Sequence, residues 1–72
     1  MINQTEAALY YYRQTGAKLP HRHTIKSWME QGKLVRGKVI VLKSKRGRLW
    51  GRWVTTKQWM DEFIHQIEEA KR

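Results

Sequence analysis

An α+β fold, with three helices and a two-stranded hairpin in one domain spanning residues 1–72, is what this sequence predicts. Three observations carry that expectation. Capping patterns, Asn3 with Glu6 and Thr55 with Gln58, open two segments whose apolar residues recur at helical spacing. Gly16, Pro20 and Gly32 interrupt the chain around a third such segment. Two runs rich in β-branched and aromatic residues, "KVIVLK" and "RLWGRWV", flank the turn-like "SKRGR". A chain of 72 residues buries only a bit over half of its unfolded surface, so the core must be small and aromatic-rich, with no room for a deep catalytic cleft.

The first helix begins at about Gln4. The Asn3 side chain takes the backbone N–H of Glu6 and the Glu6 carboxylate reaches back. Gly16 supplies a left-handed stop and Pro20 forbids continuation, which ends the helix near residue 14. Ala7, Ala8 and Tyr11 share its inner side, while Leu9, Tyr10 and Tyr12 point elsewhere. The second helix, "HTIKSWMEQG", is expected to start at Thr24 and to end at Gly32. Ile25, Trp28 and Met29 form its buried stripe, leaving His23, Lys26, Ser27 and Glu30 outward.

The hairpin follows, with Gly47 in its turn. Residues 44–53, "SKRGRLWGRW", place four basic side chains, two tryptophans and two glycines together. The flanking apolar runs make this an ordered hairpin rather than a cationic tail. Trp50 and Trp53 fall on opposite faces of one strand, because strand side chains alternate. The third helix starts at the Thr55–Gln58 box and carries a stripe of Trp59, Met60, Phe63 and Ile67, with its acids outside. Trp28, Trp59 and Phe63 are assigned to the core.

The net charge is +9 and unevenly distributed. Residues 13–57 hold thirteen of the fifteen Lys and Arg and one acid, Glu30, whereas Asp61, Glu62, Glu68 and Glu69 crowd the last twelve positions. A concentrated positive field on a small folded module is the footprint of a nucleic-acid binder. The absence of cysteine excludes disulfides and thiolate zinc sites. The longest apolar run, "VIVL", falls far short of the roughly 20 residues of a membrane-spanning helix, and the N-terminus lacks the order of a signal peptide, so an intracellular protein without a membrane partner is expected.

Helix, helix, basic hairpin, helix is the outline of a winged helix-turn-helix, whose second helix enters the major groove while the hairpin lies along a neighbouring groove or the phosphates. Arg22 and His23 at the amino end of the second helix, with Lys26 and Ser27 on its outward side, can reach base edges. Thr24 caps and touches a phosphate. Glu30 either accepts from cytosine N4 or pairs with Lys26 one turn earlier. Lys43, Ser44, Lys45, Arg46 and Arg48 line the hairpin, where phosphates or a narrow minor groove are their natural targets.

Catalysis has little support. His21 and His23 stand two apart, with His65 distant in sequence, which is not a zinc spacing. No nucleophile triad, phosphate-binding glycine loop or paired catalytic carboxylates occur, so neither an enzyme nor a cofactor is expected. Protonation of His23 beside a phosphate is the simpler role.

Several segments resemble one family in the same order along nearly the whole chain. "TEAALYY" resembles the T-x-E-A-A opening of MerR-like winged helices, and "HTIKSWMEQGKL" resembles their recognition helix, S-T-I-x-R-W-I-x-x-G. "RWVTTKQWMDEFI" is similar to the R-W-Y-T-S-x-x-A-L-x-x-F segment of excisionase-like proteins from phages, prophages and integrative elements. Two departures stand out: the longer connection "RQTGAKLPHRH", and Trp59 in place of a small residue. The resemblance implies a recombination directionality factor. Several copies would bind tandem sites on double-stranded DNA, bend it, and assist a tyrosine-type integrase through a face remote from the DNA, here the acidic outer side of the third helix. It also implies a cytoplasmic, nucleoid-associated location in a prokaryotic host, and that Trp53 is the tryptophan facing the core. A small transcriptional repressor of the same fold is the alternative. A module with no evident dimerisation helix favours tandem, cooperative self-association on DNA over a two-fold repressor dimer. An RNA-binding or protein-only adaptor lacks the signatures of the common RNA modules.

Overall fold

The computed structural model describes residues 1–46 and 53–72. Its elements run α1 (Gln4–Thr15), α2 (Arg22–Glu30), β1 (Lys33–Val35), β2 (Lys38–Ile40), β3 (Lys45–Arg46), β4 (Trp53–Val54) and α3 (Lys57–Lys71). The protein is therefore α+β, with three helices as expected but two antiparallel strand pairs among the described residues instead of one.

α1 starts where its capping box places it. The Asn3 side chain accepts the Glu6 N–H at 2.8 Å, and the Glu6 carboxylate accepts the Asn3 N–H at 3.4 Å. Gly16, left-handed at φ 69°, closes the other end by donating to the Tyr12 carbonyl at 2.9 Å. α2 begins two residues before Thr24. His21 is its N-cap, and the imidazole Nδ1 accepts the His23 N–H at 3.2 Å, so Thr24 lies inside the first turn rather than at the cap. The start of α3 is displaced too, by one residue in the opposite direction. Thr56, not Thr55, accepts the Trp59 N–H at 3.1 Å, and the Thr55–Gln58 box does not form. Thr55 is fully buried, donating its hydroxyl to the Lys43 carbonyl at 2.8 Å.

The strand pairing departs most from expectation. β2, the first half of "KVIVLK", pairs backward with β1 across Arg36–Gly37, with Leu34 opposite Val39. Both turn residues have positive φ, 48° and 80°, the signature of a two-residue turn that matches the twist of the strands it joins. β3 pairs with β4 in the register Lys45–Val54 and Arg46–Trp53. The expected hairpin thus survives at its base only with a later first strand. Gly47, Arg48 and Trp50 lie outside the described residues.

The core gathers Ala7, Ala8 and Tyr11 from α1, Ile25, Trp28 and Met29 from α2, Val35, Ile40 and Leu42 from the β1–β2 region, and Met60, Phe63 and Ile67 from α3. Trp28 sits among aromatic rings, its centroid 5.1 Å from that of Tyr11 and 5.4 Å from that of Phe63, both tilted. Its backbone carbonyl accepts the Leu42 N–H at 3.0 Å, tying α2 to the segment after β2. Trp59 is only half-buried and stands outside this cluster. The α3 stripe runs through Met60, Phe63 and Ile67, and the preceding residue is turned about 100° away, since a helix advances 3.6 residues per turn. Trp53 is also half-buried but does pack against the core. A reciprocal backbone bridge between Ile2 and Thr55, at 2.8 and 3.0 Å, fastens the N-terminus beside the start of α3. Among the described residues no helix is long and apolar enough to cross a membrane.

Candidate nucleic-acid interface

α2 presents the residues singled out from the sequence. Arg22, His23, Thr24, Lys26, Ser27 and Glu30 are all exposed, while Ile25, Trp28 and Met29 anchor the opposite stripe in the core. Residues 22, 23, 26, 27 and 30 recur at intervals of four and so share one face of the helix. Lys26 and Glu30 form a one-turn pair at 3.9 Å, long and solvent-exposed, of the kind that contributes little to stability. His21 and His23 stack their rings at 4.9 Å between centroids. No group of three His, Asp or Glu among the described residues is placed to hold a metal ion.

β3 supplies the second basic strip. Lys45 and Arg46 are exposed, Ser44 is half-buried, and the Arg46 guanidinium lies over the Trp53 ring at 6.0 Å. Lys43, just before β3, pairs with Glu62 of α3 at 3.4 Å. Arg48 falls outside the described residues. The two strips meet at one place. Arg22 from the start of α2 and Trp53 from β4 line one open groove of about 240 Å³, together with Asn3, the N-cap of α1, and Gln4 and Thr5 from its first turn.

The acids of α3 are engaged within the protein more than their outer placement implied. Asp61 accepts a hydrogen bond from the Tyr10 hydroxyl, Glu62 faces Lys43, and Glu69 lies 3.6 Å from His65 and 3.7 Å from Arg72. The Tyr10 hydroxyl is held above its ordinary pKa by that hydrogen bond to Asp61 first, then by burial and the carboxylate charge. Burial alone raises Tyr11.

Sequence reasoning missed the β1–β2 turn and one contributor to this surface. The turn and the first residue of β2 carry exposed Arg36 and Lys38, hidden because "RG" lacks the Asn-Gly or Asp-Gly spelling of such turns, and Lys38 borders Gln66 and Glu69 of α3 rather than the groove at Arg22. The α1 contribution, Gln4 and Thr5, left no sequence signal, since it exists only where the start of α1 comes to line a groove with Arg22 and Trp53. No family model, curated protein or solved structure matches the chain.

Proposed function

We propose that this protein is a sequence-specific double-stranded DNA-binding protein of the winged helix-turn-helix type, acting as a recombination directionality factor. In this reading α2 enters the major groove and the β3–β4 pair is the base of a wing along an adjacent groove or the phosphate backbone. Lys26 and Ser27 read base edges, and Lys45 and Arg46 neutralise phosphates. Copies on tandem sites bend the DNA and favour excision by a tyrosine-type integrase.

The observation that supports DNA most directly is the meeting of the exposed α2 face and the basic β3–β4 pair at the groove between Arg22 and Trp53. The net charge of +9, with the acids gathered on α3, supplies the long-range attraction. The recombination role rests on the resemblance of "TEAALYY", "HTIKSWMEQGKL" and "RWVTTKQWMDEFI" to excisionase-like proteins.

Binding to duplex DNA measured against salt tests the first part. Neutralising roughly five to seven phosphates gives a log–log slope of about −4 to −6. A slope near zero, or tighter binding to single-stranded RNA, refutes it. Footprinting across the flanks of the encoding element tests the second part. Occupancy at an attachment site supports a directionality factor, and occupancy confined to a promoter makes the protein a transcriptional regulator.

A further inference from the structure

Arg22 opens α2, and by position alone it can reach a base edge. Its surroundings point to a different task. Among the described residues it has no ion pair or hydrogen-bonding partner for its guanidinium, and neither the Gln4 carboxamide nor the Thr5 hydroxyl has a partner. These three polar side chains line one groove with the half-buried Trp53 indole. The Asn3 carboxamide oxygen in the same wall is committed to the Glu6 N–H.

The groove measures about 240 Å³ and is open to solvent. That is below the roughly 300–1,000 Å³ of sites that enclose a whole small molecule. It suits a fragment of a continuous polymer passing through. The chemistry is that of one nucleotide unit of a DNA backbone: a cation and two neutral donors for a phosphate, and an indole surface for the adjoining deoxyribose. A second cation, Arg46, lies over the same indole, extending the positive lining toward β3.

We infer that the groove between α1, α2 and β4 seats the sugar–phosphate backbone of one DNA strand, and that Arg22 clamps a phosphate there instead of reading a base. This rests on the DNA-binding reading above. The clamp would fix the position of α2 relative to the duplex, so that Lys26 and Ser27 meet the base edges in one register. It acts on every sequence alike, because phosphates carry no sequence information.

The test compares the parent protein with Arg22→Ala, Thr5→Glu and Lys26→Ala on two duplexes: one enriched from a random library by the parent, and one scrambled version of it. Arg22→Ala should weaken binding to both duplexes by a similar factor, about tenfold near 0.1 M salt, and flatten the log–log salt slope by about 0.9, the value for one lost phosphate contact. Thr5→Glu should weaken both at least as much, since it sets a carboxylate against the phosphate. Its melting temperature should not fall, because an acid in the first turn of α1 is favoured by the helix dipole. Lys26→Ala should weaken mainly the enriched duplex. A loss confined to the enriched duplex on Arg22→Ala, or unchanged binding of either Arg22→Ala or Thr5→Glu, overturns the backbone clamp while leaving DNA binding standing. Failure of the parent to bind either duplex overturns the DNA reading and the clamp with it.

Discussion

Thr55 illustrates how a single residue can carry a different load from the one its spelling suggests. Threonine before a helical stripe with Gln58 three residues on reads as a cap, yet its neighbour Thr56 caps α3 and Thr55 has no solvent exposure at all. Its hydroxyl donates to the Lys43 carbonyl just before β3, and its backbone pairs with Ile2 in both directions. One residue thus fastens the N-terminus, the approach to β3 and the start of α3. Valine has the same shape without the hydroxyl, so Thr55→Val should leave packing intact and remove one hydrogen bond, at a cost of about 1 kcal/mol. In a domain of this size that lowers the melting temperature by roughly 4–8 °C. Thermal denaturation of the variant checks it, and an unchanged melting temperature would mean that the Lys43 carbonyl is satisfied by solvent. With two adjacent threonines, no local pattern says which will cap; the choice is made by the burial that Ile2 and Lys43 impose from far along the chain.

At the scale of elements, helices were legible and strand pairing was not. The helical stripes of α1, α2 and α3 place ten residues on apolar faces at fixed spacing, and nine of them, all but Trp59, are in the core. Strand pairing depends on which of several apolar runs folds back first, and "KLVRGKVI" closes on itself because its turn is only two residues long. Two backbone positions enforce that closure. At Gly32, φ is 95°, and an added Cβ would stand 2.7 Å from Val39 Cγ1 and 3.0 Å from the Ile40 carbonyl oxygen. Gly32→Ala should therefore destabilise the fold by at least about 2 kcal/mol, through left-handed strain, a clash with the Val39 side chain and a tight approach to the Ile40 carbonyl. Arg36 is the opposite case, the one non-glycine at positive φ among the described residues. Arg36→Asn installs the residue that such turns favour and should stabilise by roughly 0.5 kcal/mol. Urea unfolding of both variants checks the pair. If Arg36→Asn is destabilising instead, the β1–β2 turn is not the one described.

For the whole molecule, the charge segregation was legible from counting residues, but the contacts that join distant elements were not. Arg22 and Trp53 come to line one groove, and Tyr10 meets Asp61, only after the helices and strands of the described residues have packed, and no spacing in the chain foretells either. The Tyr10–Asp61 hydrogen bond spans α1 and α3, the two longest helices, and gives the molecule an alkaline limit. The protonated hydroxyl is the form that donates, so folding raises the Tyr10 pKa above its unfolded value of about 10. A group raised in the folded state contributes stability that is fully present below the unfolded pKa and is lost as pH climbs through the folded one. Tyr11, raised by burial, acts in the same direction. The melting temperature should accordingly fall as pH rises above about 10, through loss of both contributions. Tyr10→Phe should melt lower than the parent at pH 8, where the bond is intact. The difference between the two should then shrink above pH 10, while Tyr11 keeps some alkaline dependence in both. Melting followed by circular dichroism from pH 7 to about pH 12 distinguishes the outcomes, since a gap between parent and variant that stays constant across that range would mean that the α1–α3 contact does not depend on the Tyr10 proton.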